Sequence, residues 1–141
     1  MPPSAGTVLR LWYDEVWNNR NDSLIETYFA PGGITYALDM TGEHAQGPAA
    51  FRAFYTEFLE SFPDIQFTVH DVVEDGDRAA GRWSARLTHS GDGFGFSASG
   101  ETVTVTGMSM VRVENGMMVE SWNEWDRLRL ARTCRMMPPP A

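Results

Sequence analysis

The dominant repeat of the apolar residues in this chain changes at Pro63, and that change limits what the chain can fold into. Before Pro63 they recur at about 3.6 residues, the period of a helix face; after it they recur at two, the period of a strand. Val8, Leu11, Trp12 and Val16 predict a first helix, capped by Ser4 or Thr7 and reaching about Arg20, with Tyr13 and Trp17 on the adjoining face. The polar run Asn18 to Asp22 breaks it, and Asp22 or Ser23 can cap a short second helix to about Phe29. Pro31-Gly32-Gly33 reads as a turn, Ile34 to Asp39 as a strand, and Met40 to Gly47 as a polar loop carrying His44. Pro48 opens the clearest helix, whose stripe runs from Phe51 through Phe54, Tyr55, Phe58 and Leu59 to Phe62.

Beyond Pro63 the spacing predicts four antiparallel strands. The first carries Ile65, Phe67, Val69 and Val73, and Glu74-Asp75-Gly76-Asp77 turns it into a second from Arg78 to His89. A Gly/Ser-rich stretch, Ser90 to Gly100, reads as a mobile loop around Phe94 and Phe96. Glu101 to Glu114 and Met117 to Asp126 flank the strong hairpin signal Asn115-Gly116, and Arg127 to Arg135 can add a last helical turn. Helices segregated to one face of an antiparallel sheet make an α+β domain. Strands of this length must twist and curl, and a curled sheet closed by helices leaves a conical cavity of the kind that binds small ligands. A chain of 141 residues, 43% hydrophobic, suits one domain over 1–141. Its ordered core is expected from about residue 5 to 134, before a proline-rich tail.

Composition narrows the chemistry. The chain holds 11 basic residues, all of them Arg, so no lysine can form a Schiff base or line a phosphate loop. With a net charge of -8 and no basic stripe, nucleic acid is not an expected partner. One cysteine, Cys134, excludes an internal disulfide and a cysteine-rich zinc site. His44, His70 and His89 show no metal-ligand spacing, and no dinucleotide fingerprint or nucleophile elbow is present, so no cofactor and no metal are expected. No apolar run approaches a membrane span and no secretory signal is visible, which points to a cytoplasmic protein.

What remains is an aromatic-lined pocket and a few carboxylates. The densest feature is Trp122-Asn123-Glu124-Trp125-Asp126. Unbroken alternation would put Met118, Glu120, Trp122, Glu124 and Asp126 on one face, and two indoles beside a carboxylate can raise its pKa toward the acid/base range. The plainer reading has Asp126 capping the terminal helix. Asp39 could point into the cavity or hold a turn. Tyr13 could stabilise an oxyanion or be a core aromatic with its hydroxyl at the rim. Arg82 and His89 fall on opposite faces of their strand.

The last third, Val105-Thr106-Gly107-Met108-Ser109-Met110-Val111-Arg112-Val113, then Asn115-Gly116, then Val119-Glu120-Ser121-Trp122-Asn123-Glu124-Trp125-Asp126-Arg127-Leu128, resembles the SnoaL-like polyketide cyclase family of the nuclear transport factor two-like superfamily. Phe62-Pro63-Asp64, Gly76-Asp77-Arg78, Arg82-Trp83 and Thr88-His89 extend the resemblance over about residues 7 to 133. It implies a cone-shaped α+β barrel, a curved antiparallel or mixed sheet wrapped around the N-terminal helices. It implies a dimer or tetramer, no cofactor, and a small hydrophobic, often polycyclic, substrate closed into a ring by aldol chemistry. It places the family's acid/base carboxylate at Asp126. At the position of the family's pocket histidine the strand offers Met108 and Ser109, with His89 as a substitute. Epoxide hydrolase-like relatives use an Asp-Arg-Asp set, and here Arg82 is followed by Ser84 two residues on. Ketosteroid isomerase-like relatives use a helix tyrosine and a strand aspartate, roles that Tyr13 and Asp39 loosely match.

The sequence therefore predicts a cyclase, lyase or isomerase with Asp126, His89, Asp39 and Tyr13 as catalytic candidates. Trp122, Asn123, Trp83, Tyr55, Phe51, Trp17, Tyr36 and Ser109 are the expected substrate-binding set. A non-catalytic binding or assembly module is the competing class. Arg82, Arg86, Thr104, Met108 and Met110 lie along one broad sheet face, which predicts a homo-oligomer formed through the sheet.

Overall fold

The computed structural model describes residues 1–137, so the expected tail at 138–141 lies outside the described residues. Helix α1 (Ala5–Leu11) starts where Ser4 Oγ accepts the Thr7 amide, and it runs on into a wider, π-type turn over Trp12–Asn18. A short 3-10 turn (Asp22–Leu24) and α2 (Ile25–Tyr28) follow. Strand β1 (Phe29–Tyr36) begins earlier than the sequence suggests, because Pro31-Gly32-Gly33 lies within the strand as an irregularity, not a separate turn. Gly33 belongs there because a Cβ on it would come within 2.9 Å of the Met118 carbonyl oxygen.

Strand β2 (Ala45–Gln46) leads into α3 (Gly47–Ser61), with Pro48 in its first turn as expected. The four remaining strands are β3 (Gln66–Asp75), β4 (Arg78–Thr88), β5 (Thr102–Glu114) and β6 (Met117–Trp125), before α4 (Arg127–Thr133). They form one six-stranded sheet in the order β2-β1-β6-β5-β4-β3. The β1–β6 pairing is parallel and the others are antiparallel, so the sheet is mixed. It is curved but open, since β3 and β2 remain separate edges. Among the described residues no helix is long and apolar enough to cross a membrane.

The concave face of the sheet carries Ala79, Trp83, Ala85 and Leu87 from β4 and Val103, Val105, Ser109, Val111 and Val113 from β5, all buried. α1 and its π-type extension fill this concavity with Val8, Leu9, Trp12, Tyr13, Val16 and Trp17. The core reaches Met136, two residues beyond the expected end. The convex face stays open, and there Met108 is 57% and Met110 41% exposed beside the Arg82–Asp71 ion pair.

Two features differ from the sequence reading. The loop between β4 and β5, expected to be mobile, is tied down: the Phe94 amide donates to Glu57 Oε1 at 2.8 Å, and the Ala98 amide to Asp92 Oδ1 at 2.7 Å. More consequential, β6 does not alternate evenly. Val113 pairs with Met118 and Arg112 with Glu120, so Val119 is an extra, bulged residue. Past it the phase reverses. Ser121, Asn123 and Trp125 turn toward the concave side, while Trp122 and Glu124 pair with Met110 and Met108 on the convex side. Deleting Val119 would drive Trp122 and Glu124 inward or break the Asn115-Gly116 hairpin. We expect that deletion to cost more than about 3 kcal/mol, and Val119→Ala less than about 1 kcal/mol, by thermal unfolding followed by circular dichroism. A deletion variant as stable as the parent would refute the role given to the bulge.

Candidate active site

The concavity between the sheet and the helices holds a recess whose unfilled space, open mouth included, is ≈ 760 Å³. Aromatic rings dominate its wall. Trp17 lies 4.9 Å from Tyr55 and 5.3 Å from Phe67, ring centre to ring centre, and Tyr13 lies 4.9 Å from Phe67. Phe54 and Phe58, one turn apart on α3, sit 5.2 Å apart and close the side toward Phe94. Trp83 can lie flat across β5 only because residue 107 is glycine: a Cβ there would come within 2.4 Å of its Cζ2.

Against this apolar wall runs one polar strip. Tyr13, 6% exposed, brings its hydroxyl to 2.8 Å from Ser109 Oγ. Trp83 Nε1 donates to the same oxygen at 3.1 Å, and Ser109 donates to Asn123 Oδ1 at 2.8 Å. Asn123 Nδ2 donates to Thr35 Oγ1 at 3.0 Å and to the Tyr36 carbonyl at 2.9 Å, and Thr35 Oγ1 lies 2.6 Å from Ser121 Oγ. The strip draws on the π-type turn, β1, β4, β5 and β6, which meet at one level of the sheet. Burial pushes the Tyr13 phenol up to about 12, against the smaller pull of its bonds to Ser109 and Trp83, so it stays protonated at neutral pH. Among the described residues that line the recess none is Asp, Glu, His or Arg.

Six of the expected site residues line the recess: Tyr13, Asn123, Trp83, Phe51, Trp17 and Ser109. Six do not. Asp126 is exposed at the N-cap of α4, where its Oδ1 accepts the Arg129 amide at 3.0 Å. Asp39 closes a turn, its Oδ1 accepting from Thr41 and Gly42. His89 is fully buried elsewhere, its Nδ1 beside Ser99 and the Cys134 carbonyl and its ring 5.3 Å from Phe62. Tyr36 and Trp122 stack on each other, ring centres 6.0 Å apart, with Arg78 over Trp122 at 5.6 Å. Tyr55 is buried behind the wall and donates to the Val16 carbonyl at 2.7 Å. The bulge at Val119 explains Trp122 and leaves Asp126 outside, because the expected face rested on unbroken alternation.

Thr35 and Ser121, which the sequence does not single out, also line the recess, as does Trp125 from the dense segment Trp122 to Asp126. Trp125 donates its Nε1–H to the Leu38 carbonyl at 3.2 Å. Among the described residues no group of three His, Cys, Asp or Glu side chains is placed to hold a metal ion. The capping geometry makes a prediction: Asp126→Ala should lower stability by about 1 kcal/mol in urea unfolding while leaving ligand binding in the recess unchanged. Lost binding with unchanged stability would return Asp126 to the site.

Comparison with known proteins gives a consistent picture. Residues 7–134 match the family model of SnoaL-like polyketide cyclase. None of the curated proteins matches the chain. Among solved structures, a proposed SnoaL-like polyketide cyclase from Jannaschia sp. CCS1 superposes with a TM-score of 0.81 at 19% identity, over 93% of this chain and 91% of that one. IdmH from Streptomyces antibioticus, a proposed polyketide cyclase, gives 0.76 at 26% identity over 89% and 94%. AclR from Streptomyces galilaeus, a proposed hydroxylase, gives 0.79 at 24% identity over 93% and 95%. With the mixed curved sheet, the helices packed in its concavity and a family match spanning nearly the whole chain, this protein belongs to the SnoaL-like polyketide cyclase family.

Proposed function

We propose that this protein is a cofactor-independent, cyclase-like enzyme that takes a small hydrophobic carbonyl compound into the recess and holds its reacting oxygen on the strip Tyr13–Ser109–Asn123. The observation that carries this reading is the strip itself: the recess is otherwise lined by apolar and aromatic groups. A wall of rings favours a flat, apolar substrate, and a few convergent polar atoms fix its orientation. An aldol-type ring closure needs no partner reagent: a carbon–carbon bond forms, one proton leaves carbon or an enol oxygen, and one arrives on the new hydroxyl. IdmH is proposed to be a polyketide cyclase, which agrees with a substrate of this class.

In this reading Asp126 contributes to α4 and not to the reaction, and Tyr13 is the titratable group nearest the substrate. The exposed Met108 and Met110 on the convex face support association of two copies through the sheet, away from the recess.

A second reading has one observation in its favour. Among the described residues no Asp, Glu, His or Arg lines the recess, so the fold could serve to bind a ligand without converting it. An aromatic 1,3-diketone whose chain carries a third ketone placed for six-membered ring closure separates the two, with ring closure followed by mass spectrometry. The enzyme reading expects turnover that falls about a hundredfold or more in Tyr13→Phe and less than about twofold in Asp126→Asn. Triketone that binds and is recovered unchanged would favour the binding module. Turnover lost in Asp126→Asn and kept in Tyr13→Phe would restore the carboxylate as base.

A further inference from the structure

The hydrogens of the polar strip can be assigned one by one, and the assignment says what kind of ligand atom the strip has room for. The Tyr36 carbonyl lies 2.9 Å from the outer amide atom of Asn123. A carbonyl only accepts, so that atom is the nitrogen, and Oδ1 therefore points to Ser109. Ser109 Oγ and Asn123 Oδ1, 2.8 Å apart, need a hydrogen between them, and the only one available is the serine's. Ser109 then has no hydrogen left. Its oxygen receives the Trp83 indole N–H, and the 2.8 Å contact with Tyr13 requires the phenol to donate as well. The serine is saturated, with one bond given and two accepted.

At Tyr13, Trp83, Ser109 and Asn123 every donor is thereby turned into the wall. The Tyr13 hydrogen is spent on Ser109, the Trp83 hydrogen likewise, and both Asn123 hydrogens go to Thr35 Oγ1 and the Tyr36 carbonyl. What remains toward the recess is complementary to a donor: the free lone pair of Tyr13 Oη and the second lone pair of Asn123 Oδ1. The Thr35–Ser121 pair shares one hydrogen across 2.6 Å and keeps one hydroxyl hydrogen over, at the far end of the strip. An acceptor-only oxygen placed against Tyr13 would meet lone pairs, which is repulsive in a water-poor site.

We propose that the recess selects ligands that present a hydroxyl hydrogen, a phenol or the enol form of a 1,3-dicarbonyl, to Tyr13 Oη and Asn123 Oδ1. This rests on the reading of the recess as a substrate site and specifies its substrate class. For a dicarbonyl ligand the strip favours the enol over the diketo tautomer, and the enol carbon is the nucleophile that an aldol closure requires.

The test is calorimetric titration of the full chain at pH 7 with 2-naphthol and with 2-methoxynaphthalene, which share the ring system and differ in the hydroxyl hydrogen. The proposal expects naphthol to bind at least about tenfold more tightly, because the methoxy analogue leaves both acceptors unpaired. Equal affinity, or tighter binding of the methoxy compound, overturns the proposal and leaves the recess a ligand site. Binding of neither overturns the proposal together with the reading beneath it. Ser109→Ala gives a second test: the Tyr13 hydrogen loses its acceptor and rotates toward the recess, while the Trp83 N–H, fixed in the indole plane, is left without one, so the naphthol preference should fall to about twofold or less, or reverse. A preference unchanged in that variant contradicts the hydrogen assignment. The wild-type ratio decides the main claim even if the variant does not fold.

Discussion

The extra residue at Val119 sets what this recess can do. Strand side chains alternate strictly, so a single bulge exchanges the two faces of everything that follows. Met118 points inward before it, and Ser121, Asn123 and Trp125 point inward after it. Without the bulge Trp122 and Glu124 would sit over the cavity, and a carboxylate would face the rings. With it, the cavity receives from β6 a hydroxyl, an amide and an indole, and Ser109 on β5 lies directly opposite Asn123. The neighbouring Arg112–Glu120 pair, 2.9 Å apart, bridges the two strands next to the bulge on the convex side.

Neutrality then governs the rest of the site. Burial raises the cost of charge at Tyr13, whose phenol is pushed up to about 12, and the strip meets that constraint by pairing each donor with an acceptor. Phe54 and Phe94, partly exposed and 6.2 Å apart, stand where α3 meets the β4–β5 loop, away from the sheet.

Much of the architecture was legible because it follows from local rules. The stripe from Phe51 to Phe62, proline at each end of α3, and the Asn115-Gly116 turn fixed element types and nearly all boundaries. Tyr13, Trp17, Phe51, Trp83, Ser109 and Asn123 could be named as pocket residues because helix and strand periodicities point them inward. What escaped depends on pairing at long range. The parallel β1–β6 contact, which brings Thr35 and Ser121 together, joins residues far apart in sequence and leaves no local pattern. The bulge changes phase without a distinctive residue, so Trp122 and Asp126 were placed on the wrong side of it. Tyr36 followed Trp122 outward, and Tyr55 lay one layer behind the wall it was expected to form. His89 and Asp39 carry side chains suited to catalysis, but their partners are backbone groups and the hydroxyls of Ser99 and Thr41, which hold loops in place.

The central claim is that the chemistry of this recess runs without an ionised side chain. A pH–rate profile for ring closure of the aromatic triketone by the full-length protein tests it most directly. The account predicts a kcat that is flat from about pH 5 to pH 9, because Tyr13 stays protonated and no other titratable group among the described residues lines the recess. An acid limb with a midpoint in the carboxylate or imidazole range would show a charged base at work and contradict it.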